Sequence, residues 1–173
     1  GAGLSGQYLV RDVEDSGEPG NPLGLPAGEV EIPLQLEDRM FDSNCRMMYR
    51  FTPLAAADRW SGTWVGDRIV VNGVVWPKLT VARGVYRFRI VNSSSARTYA
   101  LTLRGQAPMY ALGRDHGLLN VPARPASLTI PPAARAPWTS GFGTPGRLSV
   151  MRTQSDLAMA RPRLPSFSRV CSS

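Results

Sequence analysis

The stretch Ile69-Val70-Val71-Asn72-Gly73-Val74-Val75 constrains this chain more than any other. Asn-Gly between two β-branched runs is the strongest short-range hairpin signal, because both turn positions tolerate positive φ. The surrounding sequence keeps the same two-residue period. From Val30 to Phe41, Ile32, Leu34 and Leu36 alternate with Glu31, Gln35 and Glu37, which predicts a strand with one apolar and one wet face. Tyr86, Phe88 and Ile90 share one face of another strand while Arg87 and Arg89 turn the other way; Tyr99, Leu101 and Leu103 repeat the pattern. Met109 to Leu112 and Ser127 to Ile130 add two strands, and Gln7 to Asp12 is the expected first one, followed by an acidic Gly/Pro loop through Pro26. About seven short strands at this spacing argue for a sandwich or small barrel. Phe88, Ile90, Leu101 and Trp76 are the expected core. Residues 42–65, rich in Met, Ala and Trp, are expected to form a loop or short helix over it.

A chain of 173 residues suffices for one sizeable core. No apolar run approaches the roughly 18 residues a membrane span needs, so no membrane is expected as a partner. Gly1 to Gly6 shows no Met and no leader pattern, and is read as a cut inside a longer protein. The net charge of +7 is unevenly spread: residues 1–115 hold 13 Lys and Arg against 12 Asp and Glu, and residues 116–173 hold 7 Arg against Asp156. Neither an aromatic-interleaved basic motif nor Cys/His finger spacing accompanies it, so nucleic acid is not an expected partner. Cys45 and Cys171 are too few for a disulfide framework, nothing in their placement argues for a bridge, and they leave the compartment open.

The chemistry-bearing residues point to no catalytic, cofactor-binding or metal site. His116 is the one histidine, whereas a blue-copper site takes two His and a Cys, and zinc takes three or four N/S ligands. In Gly113-Arg114-Asp115-His116-Gly117 it reads as a polar turn residue, without a nucleophile to serve. Met40, Met47 and Met48 could suggest soft copper(I) ligands, but Met47 and Met48 are adjacent and are expected to be core or cover. Glu37, Asp38 and Asp42 surround Arg39 and are expected on a solvated face. Gly3 to Gly6 lacks the Lys of a phosphate loop and reads as a turn.

Several stretches together resemble one family. They are Gly3-Leu-Ser-Gly-Gln-Tyr-Leu-Val-Arg-Asp12, Glu31-Ile-Pro-Leu-Gln-Leu-Glu-Asp-Arg-Met-Phe41, Val65-Gly-Asp-Arg-Ile-Val-Val-Asn-Gly-Val-Val-Trp-Pro77, Tyr86-Arg-Phe-Arg-Ile-Val-Asn-Ser-Ser-Ser-Ala-Arg-Thr-Tyr99 and Gly113-Arg-Asp-His-Gly-Leu-Leu119. Each is similar to the second domain of bacterial multicopper oxidases of the spore-coat laccase, bilirubin oxidase and phenoxazinone synthase group. The resemblance implies an all-β, cupredoxin-like Greek-key β-sandwich over residues 1–135, bridging the first and third cupredoxin domains of a parent protein. Copper in the intact protein, and oxidation of phenols or similar reductants with reduction of oxygen to water, follow from it. The family's copper-binding His motifs and electron-accepting Cys fall outside the stretches matched here, so no copper ligand carries over, and His116 stands where the family usually has Gly. The chain alone is expected to be inactive and poorly soluble, with Trp60 and Trp64 among its exposed apolar surface.

Two other readings stay open: a free-standing β-sandwich interaction module, and a nucleic-acid binder with a basic tail. Residues 136–173 are expected to form an irregular tail, since 8 of the 15 prolines lie between 122 and 165 and the apolar residues lose any period. The family's strand ending Val-Asp-Phe is missing after Pro132-Ala133-Ala134-Arg135. A shifted reading frame through Pro137-Trp138-Thr139-Ser140 could restore it, so the tail is read as frame-shifted.

Overall fold

The computed structural model describes residues 4–48, 65–103, 108–115, 117–142 and 146–148. A short 3-10 turn at Gly28–Val30 leads into β1 (Glu31–Phe41), followed by β2 (Met47–Met48), β3 (Arg68–Val71), β4 (Val74–Val75), β5 (Leu79–Val81) and β6 (Gly84–Asn92). Beyond them lie β7 (Tyr99–Leu101), β8 (Met109–Arg114), β9 (Gly117–Ala123), β10 (Leu128–Ile130), β11 (Arg135–Phe142) and β12 (Gly146–Leu148). The main sheet runs β4-β3-β1-β6-β11-β8-β9, with β2 paired to β1; β10-β7 and β12-β5 form two small sheets. β1 and β6 pair in parallel, Ile32 beside Phe88 and Leu34 beside Ile90. The other pairs are antiparallel.

The expected hairpin is present. Asn72 and Gly73, at φ 49° and 81°, join β3 to β4. The Asn72 side chain then does for β1 what a longer strand would. Its Oδ1 accepts from the Gln35 N–H at 2.8 Å, and its Nδ2 donates to the Pro33 carbonyl at 2.9 Å. Pro33, which has no N–H to give, is tolerated because β3 pairs with β1 only over Leu36–Arg39.

The core lies between the main sheet and the small ones. Leu34, Leu36, Ile69, Val71, Phe88, Ile90, Met109, Ala136 and Trp138 come from the main sheet, and Val81, Tyr99, Leu101 and Ile130 from the small sheets. Phe88, Ile90 and Leu101 are buried as expected; Trp76 is not, with 51% of its surface exposed. It holds φ 48° just after the edge strand β4, and that left-handed turn carries its indole off the face its alternation suggests.

Three further expectations are corrected. The segment 7–12 forms no strand ladder. Regular structure does not stop at residue 135: β11 crosses that point and sits between β6 and β8 in the middle of the sheet. Its Trp138 stacks on Phe88 with ring centroids 4.7 Å apart, and the Ser140 hydroxyl donates to the Pro108 carbonyl at 2.7 Å. One buried aromatic and a complete ladder to β6 supply what a regular apolar period would signal. Cys45 is disulfide-bonded, and the other cysteine, Cys171, lies outside the described residues. Residues 49–64, with Trp60 and Trp64, His116, and residues 149–173 of the expected tail also lie outside them. Among the described residues no helix is long and apolar enough to cross a membrane.

Candidate functional site

The polar side chains that a sequence reading would leave in water are gathered in two buried clusters. The first sits where β1 leaves the core. Asp38 follows Leu34 and Leu36 on the inward face and is fully buried. Its Oδ2 accepts from the Gly66 N–H at 2.6 Å and from Arg97 Nε at 3.1 Å, while Arg97 also donates to the Gly66 carbonyl at 2.6 Å. A side chain at Gly66 would run into the Arg39 backbone, so the clamp requires glycine. Glu37, on the opposite face, pairs with Arg39 at 2.7 Å and accepts from Ser5 Oγ at 2.6 Å. The expectation of a solvated acidic face is therefore corrected: Glu37 and Asp38 are buried and paired with arginines. Asp42 instead caps a turn, accepting from the N–H groups of Asn44 and Arg46 at 2.8 Å each.

The second cluster buries the outer face of β1 and β6 under the acidic Gly/Pro loop. Arg87, wholly buried, gives both terminal N–H groups to Asp15 at 2.7 Å each. Arg89 reaches Asp15 at 2.8 Å and also donates to Glu31, which Arg11 grips at 2.7 and 3.1 Å. A buried guanidinium is tolerated only with such a bidentate carboxylate. Local geometry delivers Asp15: Asp12 Oδ1 accepts from the N–H groups of Glu14 and Asp15 at 2.9 and 2.6 Å. Asn21 then ties the loop to the carbonyls of Glu18 and Leu25 at 3.1 and 2.7 Å.

The hydrogen bonds from Arg87 outweigh burial and hold the Asp15 carboxyl down at about 2. Burial alone would push Glu31 up; the bonds from Arg11 and Arg89 more than reverse it, leaving Glu31 below the ordinary carboxylate range. Its bond to Glu31 in turn raises Arg11. Burial pushes the Tyr99 hydroxyl well above its ordinary value, and that group shares a 2.8 Å hydrogen bond with Ser94. All of these shifts stabilise the protonation states found at neutral pH, so they hold structure together rather than poise an acid or base.

The residues of the resembling motifs divide in the same way. Asn92, fully buried, donates to the carbonyls of Arg97 and Ile130 at 2.7 and 3.0 Å and accepts from the Ser94 N–H at 2.9 Å, which turns the chain from β6 toward β7. Met40 lies opposite Met48 across β1 and β2, both half-buried, while Met47 is exposed. Among the described residues the buried carboxylates are taken by arginines, and no group of three or more His, Cys, Asp or Glu side chains is placed to hold a metal ion.

A mixed main sheet that shares one apolar layer with two small sheets is the arrangement of a cupredoxin-like Greek-key β-sandwich. Comparison with known proteins agrees. The chain is similar to a laccase of Bacillus stratosphericus, 37% identical over 141 residues, 78% of this chain and 27% of that protein. It is similar to multicopper oxidase LPR1 homolog 1 of Oryza sativa subsp. japonica, 38% identical over 132 residues, 75% of this chain and 22% of that one. Cell division protein FtsP of Yersinia pestis is 31% identical over 161 residues, 93% of this chain and 32% of that protein, a match long enough to run past residue 135. Among solved structures, a variant of the multicopper oxidase McoA from Aquifex aeolicus superposes with a TM-score of 0.59 at 34% identity, covering 69% of this chain and 25% of the other. No family model matches the chain. The chain belongs with the multicopper oxidases, as a cupredoxin-type piece that spans about a quarter of the length of these relatives.

Proposed function

We propose that this chain is the middle, bridging domain of a multicopper oxidase, standing between a first and a third cupredoxin domain that hold the copper. The observation that carries this reading is the proportion of the matches: three quarters of this chain answers to about a quarter of each oxidase. The pairing of the buried carboxylates with arginines supports it, because it fits a scaffold. In the intact protein, copper held by those two domains would supply the oxidation of a phenol-like reductant coupled to reduction of oxygen; this domain would keep the copper-bearing domains in register and perform no step itself. Copper loading followed by metal analysis, with a phenol oxidation assay, tests the part assigned to the isolated chain. No stoichiometric copper and no oxidation are expected; one tightly held copper per chain would overturn it.

A second reading, a β-sandwich that works through protein contacts alone, is favoured by the match to FtsP, a protein named for cell division, across nearly the whole chain. The coding sequence of the parent separates the two. A His-x-His motif just upstream belongs to the oxidase, and its absence there supports the interaction module.

A further inference from the structure

The turn between β3 and β4 is held in place by the side chain of Asn72, and Asn72 with Gly73 is also a chemically reactive pair. Asn72 makes three hydrogen bonds to β1 beyond the end of the β1–β3 ladder. Its N–H donates to the Gln35 carbonyl at 3.1 Å, its Oδ1 accepts from the Gln35 N–H at 2.8 Å, and its Nδ2 donates to the Pro33 carbonyl at 2.9 Å. The side-chain amide thus serves as donor and acceptor at once, which an ionised aspartate, an acceptor only, does not reproduce. A backbone nitrogen can attack the side-chain amide carbon of the asparagine before it, and a glycine nitrogen does so most readily because no Cβ shields it. Of the five asparagines, Asn72 is the one followed by glycine; Pro22, Cys45, Ser93 and Val121 follow the others. Both turn residues are exposed to water. Yet the two side-chain bonds hold Asn72 Cγ toward β1, and reaching the Gly73 nitrogen means releasing both.

We propose that Asn72 is a self-modification site that the fold keeps closed and that opening of the hairpin exposes. Once the hairpin opens, the Gly73 nitrogen bonds to Asn72 Cγ, the bond from Cγ to Nδ2 breaks, and the Gly73 amide proton leaves with that nitrogen as ammonia. Water then opens the resulting cyclic imide at either carbonyl, giving aspartate or a β-linked aspartate; nothing is oxidised or reduced. Neither product rebuilds the turn. Aspartate sets a carboxylate oxygen where Nδ2 donated, facing the Pro33 carbonyl with no hydrogen between them. The β-linked form adds a methylene to the backbone between Val71 and Val74, which pair across the turn, and a two-residue turn has no slack for it. A chain that stays open long enough is held out of the native hairpin, so the modification is a one-way record of opening. The site needs only the turn and β1, and it stands whether or not the oxidase reading does.

One preparation of the 173-residue chain, held at mildly alkaline pH in buffer and in unfolding guanidinium chloride, tests the proposal. Peptide mapping by mass spectrometry reads conversion of amide to acid at Asn72, and labelling with an isoaspartyl methyltransferase reads the β-linked product. Conversion is expected to be at least about 100-fold slower in buffer than in denaturant, because it follows the population of the open hairpin. In denaturant, Asn21, Asn44, Asn92 and Asn120 are expected to trail far behind Asn72. When the denaturant is removed part-way through, the converted chains should be depleted from the refolded fraction. Asn72→Asp made directly is expected to lower the denaturant midpoint, and to lower it more than Asn72→Ala, which loses the same bonds without opposing two acceptors. Equal conversion in buffer and in denaturant overturns the gating by the fold, and an Asn72 that stays intact in denaturant overturns the site itself. An Asn72→Asp chain that unfolds at the parent's midpoint overturns the one-way step, as does a converted chain that refolds alongside the unconverted one.

Discussion

The two faces of the main sheet are buried by opposite means. On the inner face Phe88, Trp138, Ile90 and Leu36 pack against the small sheets, and the stabilisation comes from apolar area removed from water, at about 25 cal/mol per Å². On the outer face, one residue away along the same strand, Arg87 is just as inaccessible but is held by Asp15 and bordered by Glu31. The first kind of burial stabilises whatever the pH. The second is close to neutral in net energy, because desolvating the ions offsets most of their attraction, yet breaking one partner is costly. A chain that covers one face with apolar residues and the other with an ionic loop can therefore fix the position of that loop, and of the segment leading into it, without a second apolar core.

The largest effect expected from breaking this comparison is on the inner face. Phe88→Ala removes a fully buried ring that stacks on Trp138 and should destabilise the domain by about 3 to 5 kcal/mol, enough to unfold it if it is marginal. A urea titration that superimposes on the parent's would remove Phe88 from the core.

On the outer face, Arg87→Ala should cost about 2 to 4 kcal/mol, chiefly by stranding Asp15. The sharper comparison is the double replacement Asp15→Leu with Arg87→Met, which should recover most of that loss. A double mutant no more stable than Arg87→Ala would show that the loop contributes more than the ion pair it carries.

Acid should separate the faces without mutation. Asp15 is held at about 2, below the 3.8 of an unconstrained aspartate, so its contribution is complete above about pH 4 and is lost as pH falls from there toward 2. After allowance for solvent screening this amounts to about 1 to 2 kcal/mol. Denaturation at a series of pH values should show the slope in the wild type and a shallower one in Asp15→Asn, the remainder coming from Glu31. The smallest effect belongs at the edge. Trp76→Gly relieves a positive φ and gives up a half-exposed ring, so the isolated chain should change by less than about 1 kcal/mol; a larger loss would place Trp76 in the core after all.

How much of this was legible in the sequence depended on whether a signal was local. The Asn72-Gly73 turn and the alternation through Phe88 and Ile90 are set by neighbouring residues, and both were readable. Arg87 and Arg89 were rightly placed on the other face of β6, but their burial was not visible. It depends on Asp15, 72 residues away, in a loop without apolar pattern. Glu37 and Asp38 looked solvated for the same reason: the guanidinium that buries Asp38 is Arg97. The segment 7–12 has a strand's alternation, and the ladder that would confirm it is absent among the described residues. β11 carries Pro137 and no apolar period, and it is a strand because β6 and β8 present open edges on both sides of it.

The sequence by itself determined the fold class, the main hairpin, the apolar face of β6 and the kinship with multicopper oxidases, since two-residue periods, turn residues and motif order are written in consecutive positions. Only the tertiary structure decided which charges are buried, that Trp76 turns outward, and that β11 completes the sheet. Desolvated ion pairs and strand partners are properties of residues far apart in the chain, and their energies exist only once the sheet has brought them within a few ångströms of each other.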